Sequence, residues 1–185
     1  MAETNKLLLE RYVKYIERLA KERSPEIFTN GGIEYASQLM AVLFRYTESE
    51  ARIFCQGFKP NLIKTAPYWD ALNNYLNDSH KTLKVLVETD EYVTQEPISL
   101  LQQKKAERNN DGTISIRLVT EQDKQDIFKK LSGKPCNFAV FDNNKFRFEY
   151  EPDGYRAFGS FNHEENSRKL INLFDNAFAN ARELN

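Results

Sequence analysis

Asn162-His163-Glu164-Glu165 is the segment of this sequence best equipped for chemistry. Histidine titrates near neutral pH and can act as a nucleophile or a general acid/base, and an adjacent carboxylate can orient its ring. His163 follows an expected strand end, with Glu164 or Glu165 as the orienting group. The same residues also spell a helix start. Asn162 as N-cap and Glu165 as its N3 partner make a capping box and leave His163 an exposed first-turn residue. Ser160, just before them, could line a phosphate pocket with backbone N–H groups at the helix start. A small residue there also allows a strand to pack closely on a helix. His80, the other histidine, precedes an expected strand beside Lys81, where nothing forms a dyad with it. Asn30, Gln56 and Asp90 follow expected strands, and ligands of open α/β sheets bind beyond the carboxyl ends of strands. Turn formation accounts equally for Asn30 and Asp90.

These residues need elements to hold them. Leu8, Tyr12, Tyr15, Ile16 and Leu19 recur at helical spacing and predict a helix over 5–22, stopped by Ser24-Pro25. A short strand over 26–29, a turn at Asn30-Gly31-Gly32 and a helix over 33–47 follow. A strand over 51–55, a loop over 56–66 and a helix opened by Pro67 come next. The β-branched run 82–87 predicts a strand, Pro97 opens another helix, and Asn109-Asn110-Asp111-Gly112 reads as a turn. A strand over 113–119 and a helix over 121–131 complete four strand–helix pairs, an order that implies parallel pairing. The last third changes character. Strands over 137–142, 145–149 and 156–161 crowd together, with a two-residue hairpin turn at Asp142-Asn143-Asn144-Lys145, before a closing helix over 163–182. Alternation places Phe146, Phe148 and Tyr150 on one strand face, and the many aromatics between 138 and 161 suggest that part of this surface meets a partner.

Composition narrows the classes. The chain has 185 residues and near-balanced charge, 26 Lys+Arg against 27 Asp+Glu, so no global positive field draws it to nucleic acid or anionic lipid. Lys104, Lys105, Arg108, Lys129, Lys130 and Lys134 give local basic character, diluted by interleaved acids and read as a solvated face. No apolar run approaches the roughly 18 residues of a membrane span, and the N-terminus lacks a secretory leader pattern. Cys55 and Cys136 read as buried free thiols in a reducing compartment, which points to the cytoplasm. Two Cys and two His make no zinc constellation, and neither a Walker motif nor GxGxxG is present. No cofactor or metal is expected.

Phe138-Ala139-Val140-Phe141-Asp142 and Gly159-Ser160-Phe161-Asn162 together resemble the phospholipase D superfamily. Its members carry HxKxxxxD on an apolar strand and GSxN at the end of a later one. The resemblance implies an α/β half-domain: one domain over 1–185, with a mixed, mostly parallel sheet flanked by helices, a C-terminal β-hairpin and a closing helix. It also implies a homodimer, because catalytic members pool two halves across a two-fold axis. In the family the histidine attacks phosphorus and the lysine stabilises the charge that develops on the phosphoryl oxygens. Anchored on Asp142, those positions hold Pro135 and Asn137. The resemblance therefore implies a non-catalytic relative, an interaction or regulatory subunit whose pocket draws on Asn30, Gln56, Asn137, Asp142, Ser160, Asn162 and His163. Two alternatives remain open. One is a metal-independent phosphodiesterase or nuclease with its nucleophile moved to His163. The other is a small-molecule or nucleotide sensor on a Rossmann-like sheet.

Overall fold

The computed structural model describes residues 2–58, 60–91 and 93–184. Met1, where the leader reading begins, and Lys59, in the loop expected over 56–66, lie outside the described residues. Helix α1 (Ala2–Lys21) turns Ile16, Leu19 and Ala20 into the core and ends before Pro25. Strand β1 (Phe28–Asn30) and helix α2 (Ile33–Arg45) follow, then β2 (Glu50–Cys55), the single turn α3 (Pro60–Ile63) and α4 (Ala66–Asn77). β3 (Thr82–Val87), α5 (Glu96–Glu107), β4 (Ile114–Leu118) and α6 (Glu121–Leu131) continue the alternation. Proline in the first turn opens both α4 and α5, where its missing N–H costs nothing. Thr120 caps α6: its Oγ1 accepts from Asp123 N at 3.1 Å and donates to Asp123 Oδ2 at 2.7 Å. The last third contains β5 (Asn137–Phe141), β6 (Lys145–Glu151), a 3₁₀ turn (Pro152–Gly154), β7 (Arg156–Ser160), α7 (Glu164–Asn180) and β8 (Arg182–Glu183).

All eight strands join one mixed sheet in the order β1-β7-β6-β5-β2-β3-β4-β8. The α/β class, the mixed sheet, the C-terminal hairpin and the closing helix agree with the sequence reading. The expected parallel majority does not. Among the described residues only β2–β3 and β3–β4 pair in parallel, and the other five pairings are antiparallel. β1 leaves the parallel run because α2 carries the chain across the sheet, placing β1 at the far edge against β7. The two-residue turn is also revised. Phe141 pairs with Lys145, so the loop holds three residues, 142–144, and Asp142 takes a positive φ of 53° to close it. β8 adds an antiparallel edge that two residues could not announce in the sequence.

Strand alternation sorts side chains into two cores. Ala51, Ile53, Ala139 and Phe141 face α1, α2 and α4, where Leu39, Leu43, Phe44 and Leu72 are buried. Phe54, Phe138, Val140, Phe146 and Phe148 face α6 and α7, under Ile127, Leu170 and Phe174. The aromatic hairpin is therefore core and not the partner surface expected of it, because α7 covers it. Of its one-face trio, Tyr150 alone stays exposed, at 47%. The opposite face of β6 carries Lys145, Arg147 and Glu149, all buried.

Gly159 shows how tightly the β1 edge is built. It lies between Phe28 and Arg147 in the ladder. A Cβ there would fall 2.1 Å from Phe146 O and 2.7 Å from Phe28 Cζ. Gly159→Ala should cost about 3 kcal/mol or more, at the upper end of overpacking penalties, because backbone must shift to make room. A lowered urea midpoint at unchanged slope would show it, whereas unchanged stability would mean the β6–β7 pairing is looser than described.

Candidate functional site

β1, β2, β3, β4 and β6 all run in one direction, although β1 bonds only to an antiparallel neighbour. Their carboxyl ends, together with the starts of β5 and β7, form one edge of the sheet. Asn30 and Gln56 come to that edge as the topology argument expected, and Asn137, a candidate from the family resemblance, joins them at the start of β5. Asp90 also lies there but is occupied outside the crevice, accepting from Arg182 Nη2 at 3.2 Å.

A pocket of about 220 Å³ opens at this edge. Its floor is the ends of β2, β5 and β6, contributing Ile53, Cys55, Asn137, Ala139, Arg147 and Glu149. Phe58 from the loop after β2 and Asn61 and Ile63 from α3 close one side, with Met40 and Tyr68 from α2 and α4. Asp153 and Tyr155 from the turn before β7 close the other.

One polar network runs across the floor. Asn137 Oδ1 accepts from Gln56 N at 3.2 Å, and its Nδ2 donates to Glu149 Oε1 at 2.7 Å. Glu149 Oε2 meets Arg147 Nη1 at 2.5 Å, with both side chains about 5% exposed (6% and 4%). Arg147 Nε donates to Asn30 Oδ1 at 3.3 Å and Nη2 to Tyr155 O at 3.4 Å, while Asn30 Nδ2 donates to Tyr155 O at 2.7 Å. Each of these side chains thereby has at least one hydrogen-bond partner at the crevice floor. Arg147 and Glu149 escaped the sequence reading. Their signal was present: β6 alternates Phe146, Phe148 and Tyr150 with Lys145, Arg147 and Glu149, and a central strand of a sheet flanked by helices on both faces buries both sets of side chains.

The remaining candidates lie at the opposite edge. β7 runs antiparallel to β6, so Gly159-Ser160-Phe161-Asn162 points away from the crevice. The expectation that Asp142, Ser160, Asn162 and His163 share a pocket with Asn137 fails because the chain reverses once more before reaching them. Ser160 is fully buried: its Oγ donates to Ser24 O at 3.3 Å and accepts from Asn162 N at 3.2 Å, leaving no phosphate pocket. Asn162 Oδ1 accepts from Asn144 Nδ2 at 3.2 Å. The capping reading is displaced by one residue. His163, not Asn162, is the N-cap of α7, its Nδ1 accepting from Asn166 N at 3.4 Å while the ring stacks edge-on against Phe146 at 6.0 Å. Asp142 is a clasp. Its carboxylate accepts from Glu48 N at 3.1 Å, from Ser49 N and Oγ both at 2.9 Å, and from Lys145 Nζ at 2.5 Å.

Electrostatics follow this geometry. Burial raises the Asp142 carboxyl, but the Lys145 ammonium and the N–H groups of Glu48 and Ser49 outweigh it and hold the group below its ordinary value. Burial pushes the Cys55 thiol up to about 12 and the Cys136 thiol to about 11, so neither is a ready nucleophile. Burial also raises the Tyr68 hydroxyl, which feels the charges of Arg147 and Glu149 across the pocket.

No protein-family model matches the sequence, and no curated protein matches it. Solved structures do share its architecture. Nuc from Salmonella typhimurium, a phospholipase D family member, aligns at TM-score 0.56 and 11% identity over 86% of this chain and 99% of its own. The fold is phospholipase D-like. TrmBL2, an archaeal chromatin protein with a novel mode of DNA binding, aligns at 0.58 and 13% over 99% of this chain and 64% of its own. Phosphatidylserine synthase from Haemophilus influenzae Rd KW20 aligns at 0.58 and 10% over 86% of this chain and 39% of its own. The chain thus spans less than two thirds of the last two. At these identities the likeness is one of fold. Among the described residues no helix is long and apolar enough to cross a membrane.

Two predictions test the two edges. Arg147→Met leaves Glu149 buried and unpaired, which should cost about 3–5 kcal/mol, and adding Glu149→Leu should recover much of it. Urea unfolding of the single and double variants reads this directly. Because the Asp142 carboxyl is lowered on folding, its contribution is complete above the ordinary carboxylate range and fades as pH falls through the folded value. Asp142→Asn should therefore cost roughly 1–3 kcal/mol at pH 7, with the gap to the parent closing below pH 4. A gap constant down to pH 2.5 would contradict the clasp.

Proposed function

We propose that this chain is a non-catalytic phospholipase D-like domain, a regulatory or interaction subunit that works by holding a small polar molecule in the crevice. The observation that carries the reading is the state of Asn137. It occupies the position that the family resemblance gives to lysine, and both ends of its amide are engaged, by Gln56 N and by Glu149. Pro135, at the histidine position, is exposed and offers neither nucleophile nor base. Phosphoryl transfer through a covalent intermediate needs a nucleophile at phosphorus and positive charge at the oxygens that become more negative. Arg147 is the one cation among the described lining residues, and Asn30, Glu149 and Tyr155 O already surround it.

Both histidines lie away from the crevice. His163 caps α7 at the other sheet edge, and His80 sits exposed after α4 with its N–H on Asp78 Oδ1. A relocated nucleophile at His163 would have to abandon the helix cap and would meet neither Asn137 nor Arg147. The expected assembly is a homodimer in which the crevice state is passed to the second copy or to a partner chain.

The deciding assay uses a bis-aryl phosphodiester together with single- and double-stranded DNA and RNA in EDTA, with Asn137→Ala and His163→Ala proteins alongside. No turnover above buffer is expected from any of them. Turnover by the parent that either substitution abolishes would overturn the reading and restore an enzyme.

A further inference from the structure

Resting on that non-catalytic reading, we propose that the crevice takes a small organic cation, a primary or quaternary ammonium, in place of an anionic phosphoryl group. The balance of charge comes first. Arg147 is neutralised by Glu149 at 2.5 Å, and each of its other two nitrogens already donates, to Asn30 and to Tyr155 O, so an incoming anion would meet a guanidinium whose charge is cancelled and three of whose five N–H donors are engaged. Glu149 is differently placed. A carboxylate offers about four lone-pair positions, and the donors on this one are Asn137 Nδ2 and Arg147 Nη1. It keeps acceptor capacity at the pocket floor. Asp153, exposed at the mouth, makes no ion pair among the described residues. Once the Arg147–Glu149 pair cancels, the lining charge left among the described residues is that of Asp153.

The walls fit the same ligand. Phe58, Tyr68 and Tyr155 bring three aromatic rings to one small cavity, and ring faces attract cations, most strongly where water is excluded. Phe58 and Tyr155 hold φ values of 57° and 52°. Bulky side chains rarely occupy this left-handed region, which costs of order 1–3 kcal/mol each and is kept where surrounding structure requires it. Both strained residues flank the pocket, one on each side. Tyr68, 2% exposed, brings a hydroxyl with no hydrogen-bond partner among the described residues, and it is free to accept from an ammonium N–H.

The test is thermal unfolding and calorimetry of the whole chain with tetramethylammonium chloride and n-butylammonium chloride, against sodium chloride, sodium phosphate, sodium butyrate and xylitol. A saturable rise in Tm is expected with the two organic cations and with none of the others. Asp153→Asn should weaken cation binding several-fold. Tyr155→Asn removes the ring while suiting the positive φ, so it should weaken binding about 5-fold in a protein at least as stable as the parent. A saturable response to phosphate or xylitol with none to the cations would overturn the assignment. So would cation binding that both substitutions leave unchanged. In a protein that turns over no phosphodiester, either result removes the cation assignment alone; phosphodiester turnover would remove the non-catalytic reading beneath it.

Discussion

Arg147 and Glu149 sit two residues apart on one strand, on a face that its neighbours make into core. Taking both charges out of water costs several kcal/mol per ion, which their mutual attraction offsets only with good geometry and with hydrogen bonds for what remains. The surrounding positions follow from that demand. Asn30 at the end of β1, Asn137 at the start of β5 and the Tyr155 carbonyl before β7 each supply a missing partner. Small residues stand on either side of Arg147 in the ladder, Ala139 on β5 and Gly159 on β7, leaving room for the guanidinium. The pair therefore ties three otherwise separate strand ends into one crevice floor. It also takes up the one described lining cation that could have served an anion.

The two edges of the sheet divide the work. At the crevice edge, polar groups are gathered beside a cavity and two aromatic residues are held in strained conformations. At the other edge, polar groups are consumed in joining elements. Asp142 binds the turn before β2 to the β5–β6 loop, Asn144 meets Asn162, and His163 starts α7. The closing helix, so begun, covers Phe146 and Phe148 and completes the second core. The crevice at one edge is thus joined to the clasp at the other by the β5–β6 hairpin that runs between them.

Much of the fold was legible from the amino acids. The β-branched run 82–87 and the capped helix 121–131 match β3 and α6 residue for residue, because each carries a strong local pattern with clear stops. Pairing was less legible. Nothing within Phe28–Asn30 says that its partner is β7, more than a hundred residues on, and a two-residue strand such as β8 has no periodicity to read. The crevice was half visible. Asn30 and Gln56 follow from topology and Asn137 from the family resemblance, but Arg147 and Glu149 were hidden behind the aromatic alternation of their own strand. His163 drew attention by its chemistry, whereas its position is set by one strand reversal that only the three-dimensional chain path reveals. The GSxN resemblance misled for the same reason, since sequence order does not tell which edge a strand end reaches.

The crevice, on this account, is built around a neutralised guanidinium and therefore favours a cation over phosphate. Side-chain ¹H–¹⁵N spectra of the intact chain, resolving Arg147 Nε and the Asn137 and Gln56 amides, test this most directly. Titration with tetramethylammonium should move the Asn137 and Gln56 resonances saturably, and inorganic phosphate at equal ionic strength should leave Arg147 Nε in place. A saturable phosphate shift at Arg147 Nε, with the amides silent to the cation, would contradict the account.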